Sequence, residues 1–235
     1  MSLNKSARKT PAPAAQMDWL NDSPGLNAAQ TLEWLNLWTA QGLLRHIDSA
    51  LAAQLLRLDP QAQPALLVAA ALLAQVEGRG HTCLPVQALC QPPLALLGWP
   101  AAQADAPQGL RALWAHLPTT VPDWLAALQG RCVRGSDAPD QGQPLVLGGP
   151  PHAPLLYLRR YAGYEQRVGQ GLLQRASEPL AVDAAAARRW LDRFFVPASQ
   201  GAADTDWQKV ACAVALRARL SVITGGPGTG KTYTA

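Results

Sequence analysis

The residues best equipped for chemistry form one short run, Gly225 to Thr232, spelled GGPGTGKT, which fits the pattern GxxxxGK[ST]. Gly225, Gly226, Gly228 and Gly230 remove side chains that would block an approaching phosphate and let backbone N–H groups turn inward. Lys231 brings an ammonium to the place where β- and γ-phosphates would sit, and Thr232 offers a hydroxyl for Mg2+. With Pro227, Thr229 and Tyr233 these residues make up an expected site for ATP and Mg2+, in which Lys231 has the catalytic role and Thr232 is the metal ligand. The plainer alternative is a glycine-rich turn that matches by accident. Against it stands the preceding run Ser221 to Thr224, whose β-branched residues and glycine boundary predict a buried parallel strand leading into the loop.

Gln208 lies 17 residues before Gly225, far enough for a helix and a strand to return the chain to the same place. A carboxamide carries one acceptor and two donors, so it can address both N7 and the N6 amine of adenine and make the site selective for ATP. The alternative is a glutamine on the solvent face of a helix.

The elements that must position these residues are mostly helical. Leu32, Leu35, Leu37, Trp38, Leu43 and Leu44 recur near a 3.6 period and predict a first helix. A second is expected from Asp48 as N-cap to Leu58. A third should start at Pro64 and end by Gly78, apolar almost all round and so central to a bundle. From about residue 79 to 154 Gly and Pro dominate; PQGLRALWAHL and PDWLAALQG read as short helices, and Leu145–Leu147 with Leu155–Leu158 as a β-hairpin. Three further helices are expected over 160–176, 183–195 with Asp183 as N-cap, and 204–219. The expected fold is therefore mainly α with a small β-hairpin, a helical N-terminal domain followed by the beginning of a P-loop α/β domain. Its divisions are a disordered basic arm over 1–16, a helical domain over 17–135, a hairpin and linking helices over 136–200, and the start of the P-loop domain over 201–235.

Composition sets the outer bounds. With 235 residues, 49% of them hydrophobic, the chain can bury a sizeable core. No apolar run is long enough to span a bilayer, and the basic N-terminal stretch lacks an apolar signal core. Cys83, Cys90, Cys132 and Cys212 are too far apart for paired zinc ligands and are read as reduced and mostly buried. The net charge of +4 permits a nucleic-acid partner without requiring one. Arg159, Arg160, Arg167, Arg175, Arg188, Arg189 and Arg193 are matched by Glu165, Glu178, Asp183 and Asp192, and a salt-bridged helix surface is the preferred reading over a DNA track. For Trp19, Trp34, Trp38, Trp114 and Trp124 core packing is preferred over exposure as interface anchors.

The stretch DWQKVACAVALRARLSVITGGPGTGKTYT resembles the start of the motor in superfamily 1 helicases, with the glutamine motif and Walker A loop of the RecD type, the alpha subunits of exodeoxyribonuclease V. PLVLGGPPHAPLLYLRRYAGYEQRVGQGL and GRGHTCLPV resemble that family's hairpin segment and a turn in its helical first domain, although Ala162 and Gly163 stand where the family often has an aromatic residue. The resemblance implies the N-terminal part of an ATP-dependent helicase subunit that moves 5′ to 3′ on DNA, with residues 17–135 as its subunit-docking domain and 201–235 as the start of its RecA-like ATPase motor. Its partners would be RecB- and RecC-like subunits of a cytoplasmic bacterial helicase and nuclease acting in recombinational repair, with no membrane involved. It also implies that Gln208 contacts adenine, that Gly228, Gly230 and Lys231 hold phosphate, and that Thr232 binds Mg2+.

Hydrolysis further requires an acidic pair for Mg2+ and water and an arginine against the developing charge. In helicases those groups follow the loop, and residues 233–235 contain none of them; Asp204 and Asp206 read as helix caps. Residues 1–235 alone are thus expected neither to hydrolyse ATP nor to unwind DNA, and to bind ATP weakly. The alternatives are a stand-alone RecD-like helicase, a non-catalytic protein-interaction module, and an unrelated ATPase.

Overall fold

The computed structural model describes residues 25–99, 109–135, 137–195 and 205–234. The basic arm, Trp19, Pro197 and Asp204 lie outside them. The chain divides into two compact units, residues 1–162 and 163–235.

In the first unit, Asn27 caps helix α1 (Ala28–Ala40) through a reciprocal box: the Gln30 N–H donates to Asn27 Oδ1 at 2.9 Å and the Asn27 N–H to Gln30 Oε1 at 3.0 Å. Thr31, Trp34, Leu35 and Trp38 bury one face, and Gly42, at φ +74°, turns the chain away. Helix α2 (His46–Leu58) starts two residues before the expected Asp48 cap. Arg45 is the N-cap, and Asp48 sits in the first turn, its carboxylate accepting the Arg45 N–H at 2.8 Å. An acid near a helix start can serve either position, so composition identified the cap region but not the capping residue.

Helix α3 (Pro64–Glu77) meets its expectation: proline opens it, Gly78 follows it, and Ala65 to Ala74 with Val76 are all buried. A helix apolar on every face can be satisfied only by neighbours on every side. The neighbours are α1, α2, the short helix α4 (Leu94–Leu97), α6 (Val121–Ala127) and one face of a small sheet, and α5 (Leu110–Trp114) joins the same core; α5 and α6 are as expected from their sequences. Leu94–Leu97 and a 3-10 turn at Val86–Cys90 occupy a stretch that reads only as proline punctuation.

The expected hairpin is present as β3 (Leu145–Gly148) and β4 (Leu155–Leu158) and belongs to a larger sheet. Strands β1 (Cys83–Pro85) and β2 (Val133–Gly135) complete it in the order β1-β4-β3-β2. β4 runs antiparallel to both neighbours, and β2 runs parallel to β3. Leu84 faces Leu156 and Leu147 faces Leu156 across the ladders, so one side of the sheet joins the helical core. Gly149 turns the hairpin at φ +82°, where a Cβ would lie 2.8 Å from the Ala153 carbonyl. The hairpin is therefore part of the first unit.

Trp34, Trp38, Trp114 and Trp124 pack in this core, as expected, and Trp99 joins them. All four cysteines are free thiols, as expected, but they are less buried than expected. Cys132 is buried, while Cys83, Cys90 and Cys212 are half-buried thiols.

Helix α7 (Arg159–Ser177) begins directly after β4. Its first turn is fixed to the first unit through Glu77, whose carboxylate accepts from the Tyr161 hydroxyl at 2.7 Å and from Arg160 at 2.8 Å. In the second unit α7 continues and is followed by α8 (Ala184–Phe194), α9 (Trp207–Ala215) and α10 (Lys231–Thr234). Asp183 caps α8 as expected, and Asp206 caps α9, which ends at Ala215 rather than near 219. Ser221–Thr224 forms no strand, and Val222 is 80% exposed. The β-branched composition supplies propensity, but a strand needs a ladder partner, and none pairs with it among the described residues. Within that unit no described residue is buried.

Candidate functional site

The glycine loop follows an irregular segment and leads into α10. Asp206 positions its first outside partner: Asp206 Oδ1 accepts the N–H of Gln208 at 3.1 Å and of Lys209 at 3.0 Å, fixing the start of α9. From there the Gln208 side chain crosses to the loop, where Nε2 donates to the Thr229 carbonyl at 3.1 Å. The sequence pairing of Gln208 with the loop is thus a spatial one, made to the loop backbone.

The loop closes on itself as well. The Thr229 hydroxyl donates to the Gly226 carbonyl at 2.9 Å, and Lys231 Nζ donates to the carbonyls of Gly225 and Gly226, both at 2.7 Å. A Cβ on Gly225 would meet Thr229 Oγ1 at 2.6 Å, so a side chain there would displace the hydroxyl that closes the loop. Gly228 and Gly230 adopt φ of +77° and +75°, the left-handed conformation that other residues avoid. A Cβ on Gly228 would meet nothing within 4 Å, so its backbone stands open to an incoming group.

Pro227 and Thr229 lie in the turn, and Thr232 is exposed on α10. Tyr233 is in α10, and its side chain lies outside the described residues. The structure therefore brings Gln208 together with Gly225, Gly226, Thr229, Gly230 and Lys231 and leaves Thr232 facing solvent.

Cys212 is the site residue that sequence reasoning missed. Its thiol reaches the Thr234 carbonyl at 3.3 Å and ties α9 to α10. The signal was available: Cys212 follows Gln208 by four residues, one helical turn along the same face.

The charges around the site are arranged differently from expectation. Asp192 pairs with Lys209 at 2.6 Å, which holds its carboxyl below the usual range, and Glu178 pairs with Arg219 at 2.7 Å. Arg159 and Arg160 find Asp140 and Glu77 in the first unit. Asp183 and Asp206 thus cap helices, while Asp192 and Glu178 pair with Lys209 and Arg219 from other segments. The guanidinium of Arg193 instead lies 5.4 Å from the Trp190 ring centre, and that of Arg167 5.1 Å from the Tyr164 ring centre. Among the described residues no three His, Cys, Asp or Glu side chains could hold a metal ion by themselves, and no helix is long and apolar enough to cross a membrane.

The family-model match lies within the first unit, and the matches to curated relatives extend beyond it. Residues 40–151 match the family model described as the RecBCD enzyme subunit RecD, N-terminal domain. The RecBCD enzyme subunit RecD of Haemophilus influenzae is 32% identical over 178 residues, which cover 75% of this chain and 26% of that protein. The subunit of the same name from Mycolicibacterium smegmatis is 31% identical over 193 residues, 82% of this chain and 28% of that protein. The chain thus spans about a quarter of the length of these curated relatives.

Proposed function

Because the chain carries the N-terminal domain of the RecD family, we propose that it supplies the first part of an ATP-dependent 5′-to-3′ DNA helicase subunit acting with RecB- and RecC-like subunits in recombinational repair of double-strand breaks. The observation that carries this reading is the match over residues 40–151, which falls on a unit with a complete core. That unit is the docking part, and it presents its surface to the RecC-like scaffold.

The second unit contributes the nucleotide loop. Its residues fit a polyphosphate: Gly228 offers open backbone, the two left-handed glycines shape the turn, and Lys231 is held at the loop by two carbonyls that an anion can replace. When bound, ATP with Mg2+ supplies the phosphoanhydride whose hydrolysis drives movement. Lys231 would hold the phosphates, Gln208 the loop and the adenine edge, and Thr232 the Mg2+. The ion would be held largely by the nucleotide, since the described residues offer no acidic cluster for it.

Residues 1–235 alone act as an interaction module with a nucleotide loop and do not turn over ATP. The arrangement of acids favours this: Asp183 and Asp206 are occupied as caps, and Asp192 and Glu178 are ion-paired away from the loop. The test is co-expression with the RecB- and RecC-like subunits of the same genome, followed by size-exclusion chromatography and calorimetric titration with ATP and Mg2+. Co-elution with the RecC-like subunit and ATP binding without turnover are expected. Failure to co-elute would remove the docking role, and steady turnover by the isolated chain would overturn the division of labour.

A further inference from the structure

We propose that Gln208 is a positioning residue for the phosphate loop, latching the Thr229–Gly230 peptide independently of any contact with a base. The inference rests on the nucleotide-binding reading above and deepens it. Two observations meet at this peptide. Gln208 Nε2 donates to the Thr229 carbonyl at 3.1 Å, and a Cβ on Gly230 would lie 2.3 Å from the same nitrogen. The space left by the missing side chain of Gly230 is thus filled by the carboxamide of Gln208. Gly230 is favoured by its φ of +75°, and a side chain there would displace the Gln208 carboxamide from the loop.

The other contacts that close the loop are local. Thr229 reaches back three residues to Gly226, and Lys231 reaches back five and six residues to Gly226 and Gly225. Gln208 comes from another element, 21 residues away in sequence, and its own backbone is fixed by the Asp206 cap. A bond to a separately anchored helix limits loop motion in a way that bonds within the loop cannot.

The donor count makes the latch compatible with base recognition. A carboxamide has two N–H donors and one acceptor oxygen. One donor is used on Thr229, leaving one N–H and Oε1, the pair that the N7 and N6 edge of adenine requires. One side chain can therefore hold the loop and read the base together, so that the two events are coupled. Phosphate affinity should then depend on Gln208 even when the ligand has no base.

The test uses the full chain with Mg2+ and inorganic tripolyphosphate, a ligand without adenine, beside ATP. Gln208→Met keeps side-chain length and removes the donors; Gln208→Glu replaces the donor with a carboxylate. Both should weaken tripolyphosphate binding about five-fold at neutral pH, and ATP binding at least as much. Without ligand, amide exchange at Thr229 to Lys231 should quicken several-fold in both. Acidification from about pH 7 to about pH 4.5 returns a proton donor to part of the Gln208→Glu population, so its affinity relative to the unsubstituted chain should recover, while Gln208→Met should not. Loss of ATP affinity with tripolyphosphate binding and loop exchange unchanged would overturn the latch and leave adenine contact alone. If the unsubstituted chain bound neither ligand, the nucleotide reading would fail, and the exchange rates would still decide whether the latch exists.

Discussion

The two units of this chain use the same kinds of residue in opposite ways. The first hides its large apolar groups, with Trp34, Trp38, Trp124, Leu66 and Leu67 at or near zero exposure. The second displays them: Trp190 is 55% exposed, Phe194 63% and Trp207 74%. Apart from α3, whose unbroken apolar run marks it as central, sequence pattern does not separate these cases, because a helix with an apolar stripe looks alike whether or not something covers it. What separates them is the packing supplied by other elements. Helix α3 is enclosed by helices on several sides and by a sheet face, whereas α8 and α9 are joined through a groove and an ion pair between Asp192 and Lys209. The first unit can thus store stability in its own core, and the second holds a geometry, the glycine loop with its Gln208 latch, on little buried surface.

The strongest way to break that contrast is to damage the core. Leu66→Ala removes a fully buried side chain from α3 and should cost about 3 kcal/mol, seen as a large fall in the thermal midpoint. Next comes Asp48→Ala. It removes a buried carboxylate that accepts the Arg45 N–H and pairs with its guanidinium at 2.7 Å, and should cost about 2 kcal/mol in denaturant titration.

A smaller effect is expected at Glu77. The Tyr161 hydroxyl, then Arg160 and Arg45, hold its carboxyl below the usual range. A group whose folded pKa is depressed stabilises the fold above its unfolded value and loses that contribution as pH falls through the folded value. The thermal midpoint should therefore drop on acidification below about pH 4.5, and Glu77→Gln should flatten that part of the profile. An unchanged acid limb in Glu77→Gln would remove Glu77 from the account. The smallest effect belongs to the second unit: Trp207→Ala should move the thermal midpoint hardly at all, by about 0.5 kcal/mol or less.

Legibility in the sequence follows the same division. Helix α3 was readable because proline, an unbroken apolar run and glycine all mark it locally, and α8 because Asp183 precedes it as a cap. The hairpin was readable from two apolar runs, but its partners were not: β1 and β2 are three residues each and are strands only because β4 and β3 recruit them. The strand expected at Ser221–Thr224 failed for the converse reason, since its composition is right and no ladder partner is present among the described residues. At the site, the motif placed Gly225 to Thr232 and the spacing brought Gln208 to it. That Gln208 bonds to the loop backbone was not readable, because it depends on how α9 is capped and where its first turn points.

Amide hydrogen exchange followed by mass spectrometry on the full chain tests the contrast most directly. The amides of α3 should exchange only on global unfolding, while those of α8 and α9 should exchange orders of magnitude faster under the same conditions. Equal, slow exchange in α3, α8 and α9 would contradict the account, because the second unit would then possess a stability that its exposed side chains do not provide.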